Sequence, residues 1–110
     1  MDDLSLEKIL RAVECVPAGQ AATYGDIAQL TGQHPRLIGS VLAQWASQSP
    51  WWRICNARGI ISGHFKQALP HWKQEGMTLN RAGTGIVLAA HRIDPLDLER
   101  LWQQALVSLE

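Results

Sequence analysis

Residues Thr23 to Leu42 read T-Y-G-D-I-A-Q-L-T-G-Q-H-P-R-L-I-G-S-V-L, and this stretch decides the fold. Thr23 followed three residues later by Asp26 has the spacing of a capping box, with Asp in place of the longer Glu. Ile27, Ala28 and Leu30 supply the inward face of a short helix ending near Thr31. Gly32-Gln33-His34 reads as a tight turn. Pro35 suits the first turn of the next helix, where its missing N–H would be unpaired anyway. That second helix is expected over Arg36 to about Ala46, with Leu37, Ile38, Val41, Leu42 and Trp45 as its buried stripe. Gly39 removes bulk from one side and would admit another backbone. Two short helices about a glycine turn make a helix-turn-helix.

Working outward, Leu6, Ile9, Leu10 and Val13 fall on one helical face and predict a helix over 4–15. Val16-Pro17-Ala18-Gly19 stops it, and Ala21 to Tyr24 suits a short extended segment. Downstream, Ile54-Cys55 and Ile60-Ile61 flank Asn56-Ala57-Arg58-Gly59, which predicts a short hairpin. A helix-turn-helix followed by a hairpin outlines a winged helix. Leu69 to Glu75 is expected as a short helix started by Pro70 and ended by Gly76. Residues 80–92 leave a strand over Ile86 to Ala90 open. Asp94 as cap, Pro95 at the first helical position and Asp97 in the first turn mark a last helix over about 95–109. Its stripe is Leu98, Leu101, Trp102, Ala105, Leu106 and Leu109.

The chain has 110 residues, the length of one domain, and balances ten basic against ten acidic residues. The balance hides a gradient. Residues 1–14 sum to −2, residues 15–66 to +3 and residues 67–110 to −1. A uniformly basic coat is excluded, and an electropositive middle is not. Cys15 and Cys55 do not make a disulfide framework. No apolar run approaches the ~20 residues of a membrane helix. His64 and His71 have no thiol or carboxylate at ligand spacing, so no metal is expected. The plain expectation is a reduced, soluble, cytoplasmic protein without a cofactor.

The stretch Ser49-Pro50-Trp51-Trp52-Arg53-Ile54 poses the functional question, because adjacent tryptophans are costly on a surface unless something covers them. With Val16-Pro17-Ala18-Gly19, Thr23-Tyr24-Gly25-Asp26-Ile27-Ala28 and Arg36-Leu37-Ile38-Gly39 before it, the order resembles the O6-alkylguanine-DNA alkyltransferases. Those enzymes carry Pro-Cys-His-Arg-Val, whose cysteine takes the alkyl group. Here Trp51 stands at the cysteine position and Trp52 at the histidine position. The pattern is therefore similar to the alkyltransferase-like proteins, their non-enzymatic relatives. The resemblance covers about residues 4–79 and implies a mainly α fold with a small β hairpin, the winged-helix-like DNA-binding domain of the enzymes' C-terminal type. On that division residues 1–79 are the DNA-binding domain and residues 80–110 an extension whose helix packs on it.

Chemistry agrees with the resemblance. Alkyl transfer needs a thiolate, which an indole cannot supply. In an extended segment Cys55 would lie roughly 13 Å from Trp51 at ~3.3 Å per residue, far from the ~3–3.5 Å needed for attack. The resemblance implies that the second helix enters the minor groove and presents Gly39, Ser40 and Ala43 to it. It also implies that Arg36 fills the place of a flipped guanine and that Tyr24 pushes its phosphate. Arg58 is a candidate phosphate contact. The lesion pocket is expected from Tyr24, Pro50, Trp51, Arg53, Ser62, Gly63 and His64, with the segment from Ile61 to Lys66 as a lid. Glu75-Gly76 matches the family's Glu-Gly near the end of the domain, which implies that the acid orienting the histidine in the enzymes survives as a structural relic. Trp52 suits either a structural place beneath the site or a base contact. The implied role is recognition of O6-alkylguanine in duplex DNA by a monomer, with handover to nucleotide excision repair. A residual alkyltransferase using another cysteine and a winged-helix transcription regulator are the alternatives.

Overall fold

The computed structural model describes residues 2–107. The chain runs α1 (Asp3–Glu14), β1 (Ala22–Thr23), α2 (Tyr24–Thr31), α3 (Pro35–Gln44), two 3-10 turns (Ala46–Gln48 and Trp51–Arg53), β2 (Ile54–Cys55), α4 (Phe65–Gln74), α5 (Leu88–His91) and α6 (Pro95–Leu106). The mainly α class with a helix-turn-helix stands. The local signals act as expected at its heart. Thr23 Oγ1 accepts from Asp26 N and Asp26 Oδ2 accepts from Thr23 N, which closes the capping box of α2. Gly32 ends α2 in the left-handed conformation with φ 73°. His34 then caps α3 by accepting from Arg36 N through Nδ1.

The β element differs from the expected hairpin. Ile54-Cys55 pairs in parallel with Ala22-Thr23, in the register Ala22 to Ile54 and Thr23 to Cys55. A parallel pair needs a crossover, and α2 and α3 provide it. Ile60 does return toward Asn56, but as a closed turn. Asn56 Oδ1 accepts from Arg58 N and Ile60 N, and Asn56 N donates to Ile60 O. All four strand residues are buried, so each fits a central ladder better than an exposed ribbon.

Two further boundaries move. The helix expected from Leu69 begins at Phe65, and Pro70 sits inside it. Proline there leaves the carbonyl of Lys66 without its helical partner. Both residues are exposed, where water can take that bond. No strand covers Ile86 to Ala90. A single antiparallel bridge joins Leu79 to Ile86, and one helical turn follows. The last helix ends at Leu106; Leu109 of the expected stripe lies outside the described residues.

Two cores hold these elements. The larger joins Ile9, Val13, Ile27, Ile38, Ile54, Leu98 and Trp102, so α6 packs on α1 and shares one core with α2 and α3. Trp102 Nε1 donates to Lys8 O at 2.9 Å. Arg92 adds a two-bond ion pair to Asp26, and Ala21 exchanges backbone bonds with His91 and Ile93. The smaller core gathers Ala21, Cys55, Ile61, Ala68, Trp72, Met77 and Ile86. It seats α4 against β2 and brings the segment after Trp51 back over the cleft.

Gly59 and Gly85 are the tightest backbone approach. Ile86 N donates to Gly59 O at 3.0 Å. A Cβ on Gly59 would collide with Ile86 O, and one on Gly85 with Gly59 O; Gly59 also has φ 78°. Gly59→Ala is expected to cost about 2 kcal/mol, roughly 10 °C in melting temperature. Gly39→Ala should hold or raise stability, because no heavy atom lies within 4 Å of the added carbon. Thermal unfolding of the two variants beside the parent checks both signs.

Candidate nucleic-acid interface

The second helix of the pair, α3, and the chain from Ile61 to Gln67 face each other across an open cleft of about 520 Å³. That is the size of a small-ligand site. Its lining is Tyr24, Gly39, Leu42, Ala43, Ala46, Trp51, Ile61, Ser62, His64 and Gln67. One wall is apolar and the other carries a hydroxyl, an imidazole and an amide. A smaller cleft of about 320 Å³ lies between α2 and α6, and no tryptophan lines it.

The structure brings Tyr24, Gly39, Ala43, Trp51, Ser62 and His64 together in the larger cleft. Pro50, Arg53 and Gly63, expected there, are not among its lining residues. Gly39 also departs from one expectation. It does not admit a neighbouring backbone within the fold, since its Cβ position faces open space. Ile61, the first residue of the expected lid, lines the cleft. Three lining residues were missed. Leu42 and Ala46 continue the face of Gly39 and Ala43 at helical spacing, so periodicity could have found them. Gln67 had no signal, because its place follows from an early start of α4.

Trp51 stands half-buried at the cleft with its ring held edge-on by three others. Trp52, His64 and His71 lie 6.1, 6.0 and 6.1 Å away between centroids, at 84°, 65° and 77°. Edge-to-face packing of this kind fixes a ring and leaves a face available. Trp52 is engaged differently. It stacks on His71 at 3.7 Å and 7°, and Arg53 Cζ lies 5.5 Å over it. Its Nε1 donates to Glu75 Oε2 at 2.9 Å, while its carbonyl accepts from Trp72 Nε1 at 2.7 Å.

Glu75 explains why Arg53 leaves the cleft. Arg53 Nη2 and Nε donate to its carboxylate at 2.7 and 3.0 Å, and Arg53 Nη1 donates to Val16 O. Gly19 N donates to Glu75 Oε1. Burial alone would raise the Glu75 pKa, but these donors and the Arg53 charge outweigh it and hold it below the ordinary value. Asp26 behaves likewise: burial opposes its charge, and Arg92 with the Thr23 N–H more than compensates.

Neither thiol is poised for chemistry. Cys55 is fully buried, its Sγ lies 3.7 Å from Ala22 O, and burial followed by the Asp26 charge pushes its pKa up to about 12. The extended spacing expected between Trp51 and Cys55 is absent, because residues 51–53 form a 3-10 turn. Burial also raises Cys15, which ends α1. Burial raises the Tyr24 phenol, so it stays neutral at neutral pH. Among the described residues no group of three or more His, Cys, Asp or Glu could hold a metal.

Arg36 is exposed at the start of α3, and its side chain has no hydrogen bond or ion pair among the described residues. Ser40 is exposed one turn on and donates to Arg36 O. Arg58 is exposed in the turn that follows β2.

A helix-turn-helix with an aromatic cleft beside its second helix, and an inert ring in that cleft, defines an alkyltransferase-type domain without a poised thiol. Residues 5–82 match the DNA-binding domain of 6-O-methylguanine DNA methyltransferase, and the chain belongs to that family. The DNA base-flipping protein of Escherichia coli (strain K12) is 35% identical over 65 residues, 56% of this chain and 50% of that protein. Alkyltransferase-like protein 1 of Schizosaccharomyces pombe is 36% identical over 59 residues, 50% of this chain and 55% of that protein. A methylated-DNA–protein-cysteine methyltransferase of Methanopyrus kandleri is 46% identical over 37 residues, 34% of this chain and 28% of that protein. The chain thus matches about half or less of the length of these curated relatives. The crystal structure of S. pombe Atl1 in complex with damaged DNA containing O6-carboxymethylguanine superposes with a TM-score of 0.73 at 25% identity, over 86% of this chain and 99% of that one.

The depressed carboxylates set the acid limb of stability. Their contribution is complete above the ordinary values of 3.8 for Asp26 and 4.5 for Glu75, and it is lost as pH falls toward the lower folded values. Glu75→Gln should cost about 2 kcal/mol at neutral pH and flatten the decline below it. Urea unfolding of parent and variant from pH 7 to pH 3 measures both.

Proposed function

We propose that this protein recognises O6-alkylguanine in duplex DNA. Helix α3 enters the minor groove, the damaged base is flipped into the cleft beside Trp51, and no alkyl group is transferred. The observation that carries this reading is Trp51 itself, an unreactive ring in a base-sized cleft next to a helix face of Gly39 and Ala43. A groove only ~6 Å wide tolerates small residues at closest approach. The α3 residues that line the cleft, Gly39, Leu42 and Ala43, include none of the long polar side chains a major-groove regulator would present.

Each step has a residue suited to it. The Arg36 guanidinium is planar, always charged and without a partner among the described residues, so it can take the vacated place in the stack. Tyr24 lines the cleft with a neutral phenol that can press on the nucleotide. Extrusion costs a few kcal/mol and less for a damaged base. Stacking on an aromatic side chain returns ~1–3 kcal/mol per base. Trp51 offers such a surface, and Leu42, Ala46 and Ile61 offer apolar contact to an alkyl substituent.

The enzymatic alternative lacks a nucleophile. Indole forms no thiolate, and Cys55 is protonated and enclosed. A protein that holds a lesion without removing it requires another activity to finish repair. By the family likeness that activity is nucleotide excision repair, acting in the cytoplasm on a complex with monomeric protein. The names of the E. coli and S. pombe relatives, and the damaged DNA bound by the S. pombe protein, support the binding part of this reading.

Fluorescence anisotropy with matched duplexes containing guanine or O6-methylguanine tests it. The lesion should bind at least about tenfold tighter, and Arg36→Ala and Trp51→Ala should each remove most of that preference. Mass spectrometry after incubation should find Cys15 and Cys55 unmodified. Equal affinity for the two duplexes, or alkyl carbon on either cysteine, would sink the proposal.

A further inference from the structure

The geometry points to a phosphate-binding wing beside the cleft, built from two turns and carried by Arg58 and Arg81. This rests on the DNA-binding reading above, and it adds a contact outside the helix-turn-helix. The first turn, residues 56–60, is closed by the Asn56 side chain on Arg58 N and Ile60 N. The second, residues 80–85, is closed by Asn80, whose Oδ1 accepts from Thr84 N and whose Nδ2 donates to Thr84 Oγ1. Asn80 N also donates to Gly85 O at 2.9 Å. The two turns are then locked backbone to backbone by Ile86 N on Gly59 O, at a place where neither glycine can carry a side chain. They form one rigid unit.

The pairing of the arginines singles this unit out. The chain has seven. Arg11, Arg53, Arg92 and Arg100 each pair with a carboxylate of the fold. Arg36, Arg58 and Arg81 are exposed, and among the described residues none of their side chains has an ion pair or hydrogen bond. Arg36 belongs to the helix assigned to the groove. The other two sit at the tips of the locked turns. No Asp or Glu occurs between Asp26 and Glu75, or between Glu75 and Asp94, so neither turn holds an acid to neutralise its arginine. Glu75 itself is occupied by Arg53.

Solvated turn arginines are common, and one alone would carry little. Here two unpaired arginines stand on two turns whose backbones are joined and which contain no acid. The same segment continues through Ile60 and Ile61 into Ser62 and His64 on the cleft wall. A duplex whose base occupies the cleft therefore passes its backbone close to the wing. Guanidinium suits a phosphodiester, because its planar fork matches two oxygens. The ligand is the DNA backbone flanking the damaged nucleotide, read without regard to sequence.

The test is a salt titration of binding to lesion and undamaged duplexes by the parent, Arg58→Ala, Arg81→Ala and Arg100→Ala. Each wing variant should weaken both duplexes about threefold to tenfold and lower the slope of log affinity against log salt by about 0.9. Lesion preference should stay within about twofold of the parent. Arg81→Lys should restore the slope, and Arg100→Ala, on the far helix, should leave it unchanged. An unaltered slope in Arg81→Ala, or a loss confined to the lesion duplex, overturns the wing. A parent without lesion preference, whose slope still falls in both wing variants, overturns the damage-recognition reading and leaves the wing standing.

Discussion

One carboxylate organises the site. Glu75 collects the Trp52 indole N–H, the Arg53 guanidinium and the Gly19 N–H. Those donors come from the tryptophan turn and from the loop after α1. Without an anion at the end of α4, Arg53 and Trp52 Nε1 would lose their principal partner in a half-buried place, which is costly. With it, residues 51–53 are pinned as a short turn, and Trp51 is directed to the cleft while Trp52 lies beneath. In the related enzymes, by the resemblance, an acid here orients the histidine that activates the thiol. The same position here receives an indole N–H. Histidine and tryptophan both offer a ring N–H to a carboxylate, so the structural half of the interaction survives the loss of the chemical half.

The substitution of two large rings for smaller groups needs room, and α4 supplies it. His71 stacks flat on Trp52 and meets Trp51 edge-on. Trp72, fully buried, ties the Trp52 carbonyl from the other side. A helix that began at Leu69 would offer fewer anchored turns before His71 and Trp72. Starting at Phe65, it runs past the cleft and places Gln67 on the wall and His71 behind the rings. The proline inside it is tolerated on the exposed side, where its missing hydrogen bond falls to water.

Much of this was legible in the residues. The capping box, the glycine stop of α2, Pro35 and the α6 cap are local signals, and local physics decides them. The order of four motifs fixed the family because each was read together with its neighbours. What failed was non-local. Ile54-Cys55 and Ile60-Ile61 look like hairpin arms when seen alone. Only the fold reveals that Ala22-Thr23, thirty-two residues upstream in register, takes the parallel edge instead. Pro70 misled for the opposite reason: as a helix starter it is a sound local signal, and packing of Ala68 and Trp72 in the smaller core overrode it. Arg53 was assigned to the pocket by motif position, and nothing in the sequence announces that Glu75 draws it away. The ring contacts of His71 were unreadable, since stacking at 3.7 Å depends on where two separate elements meet.

Charge separation completes the argument. The acids cluster in the first fourteen residues and beyond Asp94, while Asp26 and Glu75 are spent on Arg92 and Arg53. Zero net charge thus describes no surface of this molecule. Among the described residues, the arginines left unpaired are on α3 and on the two locked turns. A protein so arranged gains little from long-range attraction to DNA, because its total charge cancels beyond about 10 Å at 0.1 M salt. Its affinity must come from contacts made only at close range. Weak general attraction combined with a specific aromatic cleft suits a searcher, since undamaged duplex is released quickly and only a base that leaves the stack is retained. On the proposed reading, retention rests on stacking and burial rather than on a bond, and it is therefore reversible.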